Sequence, residues 1–297
     1  MLSECLSLLC PQLDTNDEIL VVNNGLSQPT KNIVLAYTRR APVKYLYEKR
    51  KGPSFARNLG VKHAKKDIVA FLDDDCLVSS KWISSIKQTI IKDEKYSNRT
   101  VYQGKIVHHF LRQTTMNNVF IAQNDYGFAE YKKRMEGKKR LYMHSINAGN
   151  FFAKRNIFDS LPYVFDAIMF PYIGEEMELT NRLQLKGYVV VYRPSVVVQH
   201  IISSLEFGQS ACNLFLRGRT MGILEHRYGV RKVILKKLPY SFLPIGVELF
   251  NSKSFMFVLQ RLTSKQPSSA WLYVPVVGLK YLLYATGRLY GRIFSTP

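Results

Sequence analysis

Asp73, Asp74 and Asp75 stand at the end of an apolar run, "VAFLDDDCLV", from Val69 to Val78. Three adjacent carboxylates repel one another, and unless they are solvated they need a cation or hydrogen-bond donors to stay ionised together. Oxygen ligands of this kind suit Mg2+ or Mn2+, which commonly bridge one or two carboxylates to substrate phosphates. An acidic turn in water accounts for the residue types equally well, but the apolar run before them and Trp82 after them favour a site. A second acidic group, Glu175, Glu176 and Glu178 in "GEEMEL", fits the first turn of a helix, where the dipole favours acids. Glu176 gains a chemical role if the fold brings it opposite the aspartates, where its carboxylate could take a proton from an attacking hydroxyl. His200, after "VVVQ", is either a structural histidine or, at a strand end near a metal, an imidazole ligand. Arg57 follows Gly52 on a helix, where an arginine can face a phosphate or a base edge or simply lie on the surface.

The elements that must position these residues follow from periodicity. Leu2, Leu6, Leu9 and Leu13 recur at helical spacing. "DEILVV" (Asp17 to Val22) is a short buried strand ended by the turn residues Asn23, Asn24 and Gly25, and "VKYLYEKR" is a second. In "GPSFARNLGVKHAKK" Gly52 breaks the chain, Pro53 suits a first helical turn, and Ala56, Leu59 and Ala64 share a face. "DIVAFL" (Asp67 to Leu72) does not alternate, which predicts a strand covered on both faces in a mostly parallel sheet. This rhythm is that of an α/β fold, whose ligands bind at the carboxyl ends of strands, where Asp73 to Asp75 lie. Strands are expected around "VYQGKIVHH", "NAGNFFAK" and "YVVVYRPSVVVQH", and helices in "NNVFIAQNDYGFAEYKKRME" and in "EEMELTNRLQLKG", closed by Gly187.

The chain has 297 residues, 46% hydrophobic, and a formal net charge of +20. It can bury a large core, and its charge calls for an anionic partner: a membrane surface, nucleic acid or a phosphorylated substrate. Cys5, Cys10, Cys76 and Cys212 show neither a CxxC pair nor zinc spacing, which fits a reducing cytosol. The opening residues lack a basic region and carry Glu4, so no signal peptide is expected. The longest apolar run, from Trp271, is broken by Pro275 and Lys280, short of the about 18 residues of a spanning helix. Beyond His200 basic residues, among them Arg217, Arg219, Arg227, Arg231 and Lys232, alternate with apolar and aromatic ones. Amphipathic helices on an anionic inner leaflet are expected there, with a re-entrant hairpin at Pro275 and a soluble helical subdomain as alternatives.

Taken together, "CLSLLCPQ", "EILVVNNG", "GPSFARNLGVKHAKKDIVAFLDDDCLVSSKWI", "NAGNFFAKRNIF" and "GEEMELTNRLQLKGYVVVYRPSVVVQH" resemble the inverting family 2 glycosyltransferases. The resemblance implies the GT-A nucleotide-diphospho-sugar transferase fold over residues 1–205, with a basic and apolar helical extension over 206–297. It implies Mg2+ or Mn2+ as cofactor, a UDP-, GDP- or dTDP-sugar donor and a glycan or lipid-linked acceptor; the cysteines and the basic, aromatic tail add the expectation of a cytoplasmic enzyme peripheral on the inner face of the membrane. By position, Asp73 and Asp75 are the ends of a DxD motif around Asp74, with Asp75 on the metal and Asp73 on the ribose or base. Arg57 falls at a nucleotide contact, and His200 matches a histidine that binds the metal in some members. Glu176 occupies the place of the catalytic base, as Glu instead of Asp, with Glu175 retained as a candidate. Asn147, Ala148, Gly149 and Asn150 match the acceptor-side strand, and Asn150 is included among the donor contacts. Asn23 and Asn24 stand where the family usually has an Asp that reads the base. The family also opens with a strand of the type "VSVIIPTYN", whereas this chain begins in the following helix, which predicts an open slot beside Val21 and Ala70 and an N-terminally truncated domain. A catalytically impaired member of the fold and a basic nucleic-acid-binding protein are the alternatives; no known nucleic-acid-reading motif is present, and the acidic clusters would repel phosphates without a metal.

Overall fold

The computed structural model describes residues 1–25, 27–112, 114, 142–143, 145–203, 207–228 and 270–294. The chain divides into two compact units, Met1–His109 with Arg140–Ile201, and Phe110–Lys139 with Ile202–Pro297. In the first unit the order is α1 (Leu2–Leu9), β1 (Ile19–Asn23), α2 (Gln28–Thr38), β2 (Val43–Tyr47), α3 (Pro53–His63), β3 (Ile68–Leu72), β4 (Cys76–Val78), α4 (Trp82–Lys92), α5 (Glu94–Ser97) and β5 (Thr100–Phe110). There follow β6 (Tyr142–Met143), β7 (Asn150–Lys154), α6 (Arg155–Asp159), α7 (Glu175–Leu185) and β8 (Val189–Ile202). The helix expected in "NNVFIAQNDYGFAEYKKRME" lies outside the described residues.

The sheet is mixed. β1 and β2 pair in parallel as a two-stranded sheet, and a six-stranded sheet has the order β3-β7-β5-β8-β4, with β6 on β8. The pairings β3–β7, β5–β7, β4–β8 and β6–β8 are all antiparallel, which corrects the expectation of a mostly parallel sheet. The absence of alternation in β3 says nothing of strand direction. The expected cover on both faces is found on one only: Val69 and Phe71 are buried in an apolar cluster with Phe151, Phe158 and Leu179, while Ile68 and Leu72 pack half-buried against another containing Trp82, Tyr102 and Phe152, with Ala70 exposed between them. Phe71 and Phe151 stack with centroids 4.3 Å apart, fixing β3 against β7.

Among the described residues β1 pairs only with β2, and β3 only with β7, so each leaves one backbone edge without a strand. Ile19 of β1 and Ile68 of β3 pack against the same apolar cluster, and Ala70 is exposed in the middle of its strand. An open edge therefore lies beside the residues where the slot was expected.

In the second unit the described residues include two helices, α8 (Phe207–Tyr228) and α9 (Ala270–Ile293). α9 runs unbroken through Pro275. The helices run in the same direction: Gly287 lies against Phe215, Gly291 against Arg219, and Arg292 bonds Glu225. A Cβ on Gly218, Gly222, Gly287 or Gly291 would collide with the facing backbone, so these four glycines allow an approach that no other residue would. Among the described residues no helix is long and apolar enough to cross a membrane.

Candidate active site

Strand register assembles the site. β3 ends at Leu72 opposite Asn150, so Asp73 falls beside Gly149, where an added Cβ would lie 3.2 Å from Asp73 Oδ2. The chain then turns, the Cys76 N–H donating to Asp73 O at 3.1 Å, and enters β4 with Cys76 paired to His200. The Ile201 N–H donates to Asp75 O at 2.9 Å, and His200 Nε2 lies 3.2 Å from Asp75 Oδ2. The hydrogen bond to Asp75 raises the His200 pKa against the effect of its burial. Asp75, Cys76 and His200 thus offer ligand atoms within 4.8 Å of one another.

Within this group Asp75 and His200 suit a divalent cation, and Asp73 lies outside it. The Asp73 and Asp75 side chains are 35% and 40% exposed, open to a ligand, and His200 can present a neutral imidazole nitrogen. Cys76 does not belong to such a set. Its thiol is fully buried, and burial together with the charge of Asp73 pushes its pKa up, so it stays protonated. Asp74 is exposed at the tip of the turn.

Helix α3 links this cluster to α7. It starts at Pro53 because Gly52 takes φ 129° and passes within 2.6 Å (as a hypothetical Cβ) of Pro171 O. Ser54 Oγ donates to Phe170 O at 2.6 Å, and Asn58 exchanges two hydrogen bonds with the backbone of Phe165. These bonds staple α3 to the segment leading into α7. Between them Arg57 donates to Asp73 Oδ1 at 3.0 Å and to Glu175 Oε1 at 2.7 Å. Ser54, Arg57 and Asn58 share a helical face, a spacing legible in the sequence that could have marked Ser54 and Asn58 as positioning residues.

The two glutamates at the start of α7 differ sharply. Glu175 is buried, and its second oxygen is buried without a hydrogen-bond partner. Burial, and then the charge of Glu176, raise its carboxyl to about 7 against the pull of Arg57. Glu176 is partly exposed and accepts from the Ala148 N–H at 2.7 Å. It therefore sits on the same short segment whose next residue, Gly149, lies beside Asp73.

Four other expected contacts are spent elsewhere. Asn150 is fully buried: its Nδ2 donates to Lys105 O and Val196 O, both at 2.9 Å, and its Oδ1 accepts from Trp82 Nε1 at 3.0 Å. It braces the sheet beneath the site and does not face the cleft. Asn23 donates to Ser27 O and Tyr45 Oη. Asn24 accepts from the Gly52 N–H at 2.7 Å and donates to Glu48 O and Arg50 O. A carboxylate could not make those donations, so the β1 end needs the amide. Arg57, expected on the nucleotide, is engaged by Asp73 and Glu175. Gln103 is a supporting residue that sequence reasoning missed: it bonds Asn150 O and the Asn147 N–H, and nothing in the strand pattern singles it out.

The profile of glycosyl transferase family 2 matches residues 1–160. The chain belongs to glycosyl transferase family 2. It is similar to glycosyltransferase GlyA of Streptococcus pneumoniae serotype 4 (strain ATCC BAA-334 / TIGR4), 23% identical over 202 residues, covering 64% of this chain and 27% of that protein. An uncharacterized glycosyltransferase of Rickettsia bellii (strain RML369-C) is 24% identical over 140 residues, covering 47% of this chain and 16% of that one. The family 2 chain described here thus spans only about a sixth to a quarter of the length of these relatives. Among solved structures it resembles the mannosyltransferase PcManGT of Pyrobaculum calidifontis in complex with GDP-Man and Mn2+, with a TM-score of 0.61 at 16% identity, covering 100% of this chain and 84% of that one. S. aureus TarS 1-349 in complex with UDP gives a TM-score of 0.51 at 14% identity, covering 98% and 87%. These likenesses show the GT-A fold.

Proposed function

We propose that this chain is an inverting glycosyltransferase that moves a sugar from a nucleotide-diphosphate donor to a hydroxyl of a glycan or lipid-linked acceptor. The observation that carries this reading is the meeting of two kinds of carboxylate at one sheet end. Asp73 and Asp75 with His200 stand on one side of Gly149, and Glu176 is held by the neighbouring Ala148. The complexes named above hold GDP-Man with Mn2+ or UDP, which supports a nucleotide-diphosphate donor and a divalent cation.

Asp75 and His200 would hold the cation, which when bound supplies positive charge for the diphosphate leaving group. Asp73, oriented by Arg57, borders the donor site. Glu176 takes the proton of the acceptor hydroxyl. The oxygen then forms its bond to the anomeric carbon on the face opposite the diphosphate, the bond to the diphosphate breaks with its electron pair, and the configuration inverts. Glu175 is buried, and Glu176 partly exposed, which supports Glu176 as the base.

A screen of UDP-, GDP- and dTDP-sugars for Mn2+-dependent hydrolysis or transfer tests the proposal; release of nucleoside diphosphate is expected. A second reading, a non-catalytic member of the fold, draws on the open edges of β1 and β3. Donor binding with no turnover would favour it, whereas salt-dependent DNA binding with no sugar-nucleotide binding would replace both.

A further inference from the structure

The helix pair of the second unit carries a surface that the transferase reading does not use. On α9, Tyr284, Gly287 and Gly291 are buried, Arg288 reaches Glu225, and the glycines meet α8. Leu282, Thr286, Leu289 and Ile293 recur at intervals of four, three and four and therefore line the opposite face. Leu282, Leu289 and Ile293 are 61%, 58% and 60% exposed, and Phe294 beyond them 59%. Apolar side chains that protrude this far as one stripe mark an interaction surface. Its continuity does not depend on chance packing, because the glycine contacts fix which way α9 is turned.

Charge identifies the partner. In residues 206–297 the only acids are Glu206, Glu225 and Glu248, against Lys and Arg throughout. Glu225 is already taken: Arg288 and Arg292 both bond it and hold its carboxyl below the usual range despite its burial. Arg217 and Arg219 have no carboxylate partner among the described residues. In so basic a region, an apolar stripe on a helix that among the described residues is not long and apolar enough to span is matched to a bilayer interface, where apolar side chains dip below anionic headgroups.

We propose that the face of α9 formed by Leu282, Leu289 and Ile293 docks on an anionic lipid bilayer, lying in the interface without crossing it. This goes beyond the transferase reading and does not depend on it. The test is flotation of the full chain with vesicles of phosphatidylcholine containing phosphatidylglycerol, and with pure phosphatidylcholine. The wild type should float with the anionic vesicles at low salt, and the combined change Leu282→Ser, Leu289→Ser and Ile293→Ser should lower the bound fraction by about tenfold or more. An unchanged thermal transition shows that this variant is folded. As an independent reading, Leu289→Trp should add an emission component that shifts to the blue and is quenched by brominated lipid. A wild type that stays at the bottom, a triple variant that floats undiminished, or a Leu289→Trp emission indifferent to vesicles would overturn the proposal. So would a wild-type dimer that the triple change makes monomeric with no lipid binding in either form, which would assign the stripe to a second copy.

Discussion

In the proposed mechanism Asp75 and Glu176 put a carboxylate to opposite uses, one holding a cation and one accepting a proton. Asp75→Ala should abolish Mn2+-dependent binding of a nucleoside diphosphate in calorimetry; equal affinity in both forms would refute its role. Glu176→Gln should keep that affinity while turnover falls by about 10²-fold or more. Glu175 makes a different, pH-dependent contribution. Its carboxyl titrates at about 7 in the folded chain, above the ordinary carboxylate range, so the native state holds a proton that the unfolded chain has released. The effect on stability is favourable in acid and is lost as pH rises from the ordinary range through about 7. Glu175→Gln should therefore flatten the dependence of Tm on pH between about 5 and 8; curves that fall in parallel would reject this assignment. At this scale the sequence was informative about residue type. Three aspartates after an apolar strand and a histidine after another were legible as a cluster, and the register brings them together. The expected ligand roles of Asn23, Asn24, Asn150 and Arg57 rested on motif position, which does not show where a side chain spends its hydrogen bonds.

The elements were legible where one interaction decides them. Gly52 and Pro53 announce α3, and Gly187 closes α7 with φ 84°. What was not legible is strand direction, because a buried apolar run is the same whichever way its neighbour runs. Nor was α4 anticipated, although Trp82, Ile86 and Ile90 recur every four residues and are all buried. Gly52→Ala tests how firmly α3 is placed. A non-glycine residue at φ 129° is strained, by about 1–2 kcal/mol or more, and its Cβ would collide with Pro171 O. A Tm lower by several degrees is expected, together with weaker nucleotide binding as Arg57 and Asp73 shift; an unchanged Tm would show that the loop yields freely. The open edges of β1 and β3 make a further prediction. An added apolar strand could pair with these edges and cover the exposed Ala70, so a form with such a strand joined ahead of Met1 should unfold at a higher temperature. Equal unfolding temperatures would mean that the two edges are not complementary to a strand.

For the whole molecule, the net charge of +20 demanded an anionic partner without choosing one. The fold narrows the choice by placing acids where a nucleic-acid groove would need bases: Asp73, Asp74 and Asp75 occupy the sheet end, beside Glu175 and Glu176. Such a site attracts phosphate only after a cation has reversed its local charge. On the proposed function binding is then conditional, with metal and nucleotide each promoting the other. Ligand that binds only the native state adds stability by mass action, about 2.7 kcal/mol at a concentration of 100 Kd. For a unit of this size that corresponds to a rise in Tm of roughly 5–10 °C. Mn2+ together with the right nucleoside diphosphate should produce such a shift, and either alone much less. Asp75→Ala should remove the synergy while leaving the unliganded transition near its wild-type temperature, since that side chain is partly exposed and its loss opens no cavity. The competing reading gives a different pattern: a duplex oligonucleotide would raise Tm without metal, and the rise would collapse with added salt. A shift from oligonucleotide alone, with none from any nucleoside diphosphate and Mn2+, would place the anionic partner outside the acidic site and remove the basis for transferase chemistry there.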